Sequence, residues 1–304
     1  MAGAHVTMVA SERGGRYPDG TSLLIAGPEG TLMVDPSLTV SDGRAVLPRL
    51  DGVLLSHCHE DHFAGMHRFP GAPCSVHEAD LPALRSIDGL MAAYGYSGFP
   101  EIEARWRRTV LDDFHYRPRQ DATALRDGDV IELGGGVRVD VLHTPGHTAG
   151  HCCLLVEPDG VLYLADVDLS SFGPYYGDAV SSLEAFEQTL SRLREVDARR
   201  YVTFHHIGAI DERSAFLERL DRYAAVIENR ERRLLGLLEE PRTLADLVAR
   251  RIVYRPNDQV LYADPVEHRS IAQHLDRLLQ RGVVTEVEPG RYLRASGRSG
   301  RLPP

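Results

Sequence analysis

The chain has 304 residues, 43% of them hydrophobic, and a formal net charge of -10, enough length for one large domain with an appendage. Residues 1–233 hold 23 Arg against 35 Asp and Glu and residues 234–304 hold 11 against 9, a balance that excludes a general attraction for nucleic acid. Four cysteines with no C-x-x-C pair exclude a disulfide framework, and neither a signal peptide nor a bilayer-length apolar run is present, so a cytoplasmic protein without membrane contact is expected.

In chain order, Val6–Val9, Ser22–Ala26 and Thr31–Val34 read as strands, the last two joined by the turn Gly27-Pro28-Glu29-Gly30. Gly52-Val53-Leu54-Leu55 reads as a buried strand that runs directly into Ser56-His57-Cys58-His59-Glu60-Asp61-His62. Three imidazoles and a carboxylate so close together are the ligand types of a divalent transition metal. The pattern H-x-H-x-D-H fits no helix, because His57 and His59 would face apart; a strand end entering a loop presents both. Cys74–His77 is a further strand. Residues 81–120 form an insertion in which Ile102, Trp106, Val110 and Phe114 recur at helical spacing, as core packing or as a lid or substrate wall.

The second half restarts with strands at Val130–Leu133, Val137–Leu142, Cys152–Val156 and Val161–Ala165. A helix follows, opened by the capping pair Ser181 and Glu184, then a strand at Tyr201–Phe204 and a long helix from about Glu212 to Leu238. Polar residues stand where these strands stop: Thr144-Pro145-Gly146-His147, then Asp166, then His205-His206. Strand ends that each deliver one ligand build a rigid, convergent site. Five histidines and two aspartates suffice for two metals sharing one carboxylate. Such a pair, about 3.5–4 Å apart, activates a hydroxide and clamps the attacked group, which points to hydrolysis.

In this order, H-x-H-x-D-H, T-P-G-H-T-x-G-H, a strand-terminal Asp and a strand-terminal His resemble the metallo-β-lactamase superfamily. The resemblance implies an αββα sandwich over residues 1–233. One metal would take His57, His59 and His147; the other would take Asp61, His62 and a late histidine; Asp166 would bridge them. His206 is preferred over His205, since it places Ile210 on the Ile of the family's His-Gly-x-x-Ile, although Ile207 replaces the Gly. Two divalent ions are implied, zinc first, with manganese and iron as alternatives. Asp61 would orient the bridging hydroxide and handle its proton. Asp35 resembles the family's first motif and reads as an orienter of ligands. His151, Cys152 and Cys153 read as structural, and Asp168 stands second to Asp166 as the bridge.

Residues 234–295 read as helix, helix, hairpin and resemble a winged helix, with 296–304 as a flexible tail. The superfamily branch with such a unit includes acyl-thioester hydrolases and some endoribonucleases. Arg269, Arg277 and Arg291 could meet nucleic acid, but Glu267, Asp276 and Glu286 lie among them, so a packing or homodimer-forming module is preferred. Phe172, Tyr175 and Tyr176 lie in a Gly/Pro-shaped loop just past the bridge, as a substrate wall and oxyanion donor or as packing over the sheet edge. The reading is a dinuclear hydrolase of an ester or acyl thioester, lactones included, acting on a small-molecule or acyl-carrier-type substrate. The alternative is a metal-dependent endoribonuclease or phosphodiesterase.

Overall fold

Two six-stranded sheets occupy the centre of the protein. In the computed structural model, which describes residues 4–11, 13–43 and 46–295, the first sheet runs in spatial order through β1 (Val6–Val9), β2 (Ser22–Gly27), β3 (Gly30–Val34), β4 (Gly52–Leu54), β5 (Cys74–His77) and β6 (Thr123–Leu125). The second runs from β7 (Val130–Glu132) through β8 (Arg138–His143), β9 (Cys152–Glu157), β10 (Val161–Ala165) and β11 (Arg200–Thr203) to β12 (Ala209–Ile210). The expected tail 296–304 lies outside the described residues.

Side chains of a strand alternate between faces, and here both faces are apolar. Leu32, Val34 and Leu54 of the first sheet meet Leu154, Val156, Val161 and Tyr163 of the second between the sheets. Met33, Val53 and Val76 point outward onto Leu84, Leu90, Trp106, Val110 and Phe114. Leu162, Leu164 and Tyr201 point outward onto Phe186, Leu190, Phe216 and Leu220. Strands apolar on both faces need a helical layer on each side, and the result is the αββα sandwich. The stripe within 81–120 is therefore core: Pro100–Asp112 is a helix that buries Trp106 and Val110.

Strand directions gather the ligand-bearing loops. β4 is parallel to β3 and β5. β8 and β10 are both antiparallel to β9, and β11 is parallel to β10, so β8, β10 and β11 run the same way. Their C-terminal ends share one edge of the second sheet, and the loop after β4 faces them: the Cys152 N–H donates to the Ser56 carbonyl at 2.9 Å. The helix Leu183–Glu195 starts one residue later than expected. Its cap is Ser182, which accepts the Ala185 N–H, while the Ser181 hydroxyl donates to the His147 carbonyl at 2.6 Å and steadies that loop.

The helix Arg213–Leu237 crosses the expected boundary at 233. Its Leu234, with Leu238, enters a second core with Leu247, Ile252, Ile271, Leu275, Leu278 and Val284. Around that core lie Leu244–Val248, opened by a Thr243–Asp246 capping box, the helix Ala263–Gln280, and a sheet in the order β13 (Arg242–Thr243), β15 (Arg291–Arg294), β14 (Val284–Glu288). Two of the arginines considered for nucleic acid are used in docking this unit. Arg277 bonds Glu187 at 2.7 and 2.8 Å and also Glu231, and Arg269 donates to the carbonyls of Gly177 and Gly95. Glu267 is buried, and its carboxylate accepts the N–H groups of Ile252, Val253 and Tyr254.

Candidate metal centre

Six histidine and aspartate side chains from three loops converge beside Asp166, which comes from a fourth. Each of the five imidazoles has one ring nitrogen tied to an acceptor and the other turned inward. His57 Nδ1 lies 3.0 Å from Ser56 Oγ. His59 Nε2 donates to Asp178 at 2.8 Å, and His62 Nδ1 donates to Asp35 at 2.8 Å. His147 Nδ1 faces the Tyr175 carbonyl at 3.2 Å. His205 Nδ1 faces the carbonyls of Asp19 and Gly15 at 2.9 and 3.1 Å. Outer partners of this kind fix the tautomer of metal-ligating histidines.

The inward atoms form two groups. His147 Nε2 lies 3.2 Å from His57 Nε2, 2.9 Å from His59 Nδ1 and 3.1 Å from Asp166 Oδ2. Donors bound to zinc in a tetrahedron at 2.0–2.1 Å are about 3.3 Å apart, so this spacing fits one cation. In the second group His205 Nε2 lies 3.0 Å from Asp61 Oδ2, and His62 Nε2 lies 3.9 Å from Asp61 Oδ1. The other oxygen of Asp166, Oδ1, is 3.0 Å from His62 and 3.9 Å from His205. One carboxylate thus turns one oxygen to each group.

Charge and hydrogen bonding fit a cation as well. Asp61 Oδ2 is buried, 3.0 Å from His205 Nε2, and accepts no well-aligned hydrogen bond. Burial pulls the His59 imidazolium down, but its bond to Asp178 overrides this and holds the group at about 9. Burial likewise opposes charge on His205, and Asp166 and Asp61 raise it to about 9. Burial works against ionised Asp166, yet His62, His147 and His205 hold it well below the usual carboxylate range. Ionised carboxylates inside a buried ring of imidazoles create a field that calls for positive charge, which divalent cations supply.

A sequence profile of the metallo-beta-lactamase superfamily matches residues 17–206. The chain belongs to that superfamily. Over 165 residues it is 30% identical to the Bos taurus protein named acyl-coenzyme A thioesterase MBLAC2, covering 53% of this chain and 56% of that one. Over 204 residues it is 26% identical to atrochrysone carboxyl ACP thioesterase of Aspergillus fumigatus, covering 65% and 51%. The chain spans about half the length of the curated relatives it matches. Among solved structures, a metallo-beta-lactamase family protein from Thermus thermophilus superposes with a TM-score of 0.69 at 26% identity, covering 96% of this chain and 99% of that one. A beta-lactamase domain protein from Burkholderia ambifaria shares the fold, with a TM-score of 0.64 at 19% identity, covering 95% and 92%.

In this superfamily member His57, His59, Asp61, His62, His147 and Asp166 come together, but His206 does not join them. His205 stands in the second donor group in its place. His206 has a left-handed backbone (φ 57°), donates its N–H to the Gly15 carbonyl at 3.0 Å, and turns a half-exposed ring to Asp168. The turn is held by close approach, since a Cβ at Gly15 would come within 2.9 Å of the His206 nitrogen. Tyr176 is a second correction. It is 1% exposed, and its hydroxyl pairs with His274 at 2.9 Å, so it packs the C-terminal unit and does not line the centre. Tyr175 does border it, edge-on to His147 at 5.6 Å, but its hydroxyl is committed to Asp178 at 3.0 Å. Phe172 is partly exposed and lies outside the ligand ring.

Sequence reasoning missed Asp178 as the partner of His59. It also missed Asp80, which accepts from the Cys58 N–H, the Thr148 hydroxyl and the Gly150 N–H and so ties two ligand loops together. Glu60, between two ligands, accepts from the hydroxyls of Tyr17 and Tyr94. The Tyr94 ring stacks on His59 at 5.5 Å, so the insertion contributes one wall of the centre. His151 lies behind the centre and accepts the Asp166 N–H at 3.2 Å.

Proposed function

We propose that the chain is a metal-dependent hydrolase of esters and acyl thioesters, with acyl thioesters as the principal substrates and zinc as the first candidate metal. The observation that carries this reading is Asp166, whose two oxygens face two separate donor groups, the pattern of a carboxylate shared by two cations. When bound, such cations supply Lewis acidity toward a carbonyl oxygen and lower the pKa of water.

The protein's own residues then have defined tasks. Asp61, with one oxygen free of any aligned donor, orients the attacking water and takes its proton. As the new C–O bond forms, the C–S bond breaks and sulfur leaves with the electron pair as a thiolate, which with a thiol pKa of about 8.5 needs little help from an acid; the proton taken by Asp61 then passes to the thiolate or to solvent. His59, His147 and Tyr175 close one side, and Tyr94, stacked on His59, closes another, keeping bulk water from the acyl carbon. The thioesterase names of two curated relatives support the choice of bond. The engagement of Arg269 and Arg277 in docking the C-terminal unit speaks against RNA as the substrate.

The test follows thiol release from acyl-CoA by protein loaded with zinc or manganese, by chelated protein and by Asp166→Asn. Metal-dependent release that Asp166→Asn abolishes is expected. Metal-dependent cleavage of single-stranded RNA without thiol release would overturn the reading.

A further inference from the structure

Beside the metal centre lies a cavity of about 710 Å³, lined by Leu169, Ser170, Phe172, Ile207 and Val226, with His206, Arg219 and Arg222 around it. Its volume is in the range of small-molecule sites, roughly 300–1,000 Å³. Two of its walls continue directly from ligands: Leu169 stands three residues past Asp166, and His206 follows His205. The left-handed turn at His206 is what separates the two imidazoles, sending His205 to Asp61 and His206 to this cavity. Both Ser170 and His206 are held by Asp168, whose carboxylate accepts from the Ser170 N–H and hydroxyl and lies 3.9 Å from the His206 ring.

The lining is divided by chemistry. Leu169, Phe172 and Ile207 offer an apolar wall, while Arg219, Arg222 and Val226 follow one another at helical spacing along one face of the helix Arg213–Leu237. Arg222 has an exposed partner in Glu218 at 3.2 Å, and among the described residues no carboxylate is paired with Arg219. Two guanidinium groups beside an apolar wall, on a chain of net charge -10, suit a ligand with an anionic end and an apolar stem.

We infer that this cavity receives the phosphopantetheine arm of the thioester's leaving thiol, with the amide chain along the apolar wall and the phosphate on Arg219 and Arg222. The inference rests on the thioesterase reading and adds where the leaving group lies. Guanidinium groups suit phosphate through paired, charge-assisted hydrogen bonds. Coenzyme A and a carrier protein both present this arm.

The experiment has two readouts on the full chain. The first compares hexanoyl-CoA, a hexanoyl carrier protein and S-hexanoyl-N-acetylcysteamine, which has the same thioester and no phosphate. Wild type should prefer the phosphorylated substrates, and Arg219→Ala/Arg222→Ala should raise KM for them by about tenfold relative to the truncated one, the worth of one charge-assisted contact. Val226→Trp, which fills the cavity, should erase the same preference. The second readout is calorimetric binding of free coenzyme A and of 4′-phosphopantetheine, weakened by about tenfold in the double variant. Preference for coenzyme A over the carrier protein, or the reverse, identifies the source of the arm. A preference unchanged in both variants, or binding unaffected by the arginines, overturns the inference. If no thioester is cleaved while coenzyme A still binds through these arginines, the catalytic reading falls and the site stands.

Discussion

Asp35 Oδ2 and His62 Nδ1 lie 2.8 Å apart with both side chains fully buried. The same carboxylate accepts from the Ser56 N–H at 2.7 Å, the Ser56 hydroxyl at 2.5 Å and the Tyr163 hydroxyl at 2.8 Å. This cluster fixes which face of His62 looks toward Asp166. Asp35→Asn should therefore weaken metal binding by roughly 10- to 100-fold without touching a ligand. Titration against a chromogenic chelator measures it, and wild-type affinity in the variant would show that the contact does not orient His62.

His205 and His206 make opposite predictions from adjacent positions. His205→Ala should lose one of two bound ions and nearly all turnover, whereas His206→Ala should keep both ions. Metal analysis of the two purified variants decides the assignment. Equal metal loss in both would mean that the turn at His206 matters more than the identity of the ligand.

Metal uptake should depend on pH in a stated direction. His59 and His205 are each held at about 9 in the absence of a cation, so at pH 7 both inward nitrogens carry protons that a cation must displace. Apparent affinity should rise from pH 7 to about 9 and level off above, with protons released on binding. Affinity flat across that interval would contradict the protonation pattern.

The C-terminal unit is pinned by a buried ion pair. Glu231, 2% exposed, is bonded by Arg277, which also holds Glu187. Arg277→Ala leaves that carboxylate only the more distant guanidinium of Arg281, 3.8 Å away, and should cost about 3 kcal/mol, seen as a lower urea midpoint. Arg277→Met with Glu231→Leu, an apolar replacement for the pair, should recover much of the loss.

Much of the centre is legible in the sequence because its ligands sit where apolar strands stop, and strand direction then brings those stops together. Two strand-rich halves suggest the two packed sheets, and a strand such as β10, apolar on both faces, needs a helical layer outside it. What is not legible is what depends on distant partners. Asp178 meets His59 across 119 positions, and the direction of Tyr176 is set by His274, 98 positions away. His205 prevails over His206 because the N-terminal loop at Gly15 and Asp19 binds the ring of one and the backbone of the other. A motif fixes spacing along the chain and is blind to such a turn. Ser181 shows the same limit on a smaller scale, a capping residue by type that is drawn off by the His147 carbonyl.

The helix Arg213–Leu237 contributes Phe216, Leu220, Tyr223 and Ile227 to the core under the second sheet and Leu234 to the core of the C-terminal unit. A rod embedded at both ends couples the melting of one body to that of the other, since unwinding that starts in one core runs along the helix toward the other. Hydrogen-exchange protection should then run unbroken along its buried face, and a chain cut at 233 would sever the rod inside its last turns and leave Ile227 and Tyr223 beneath a fraying end.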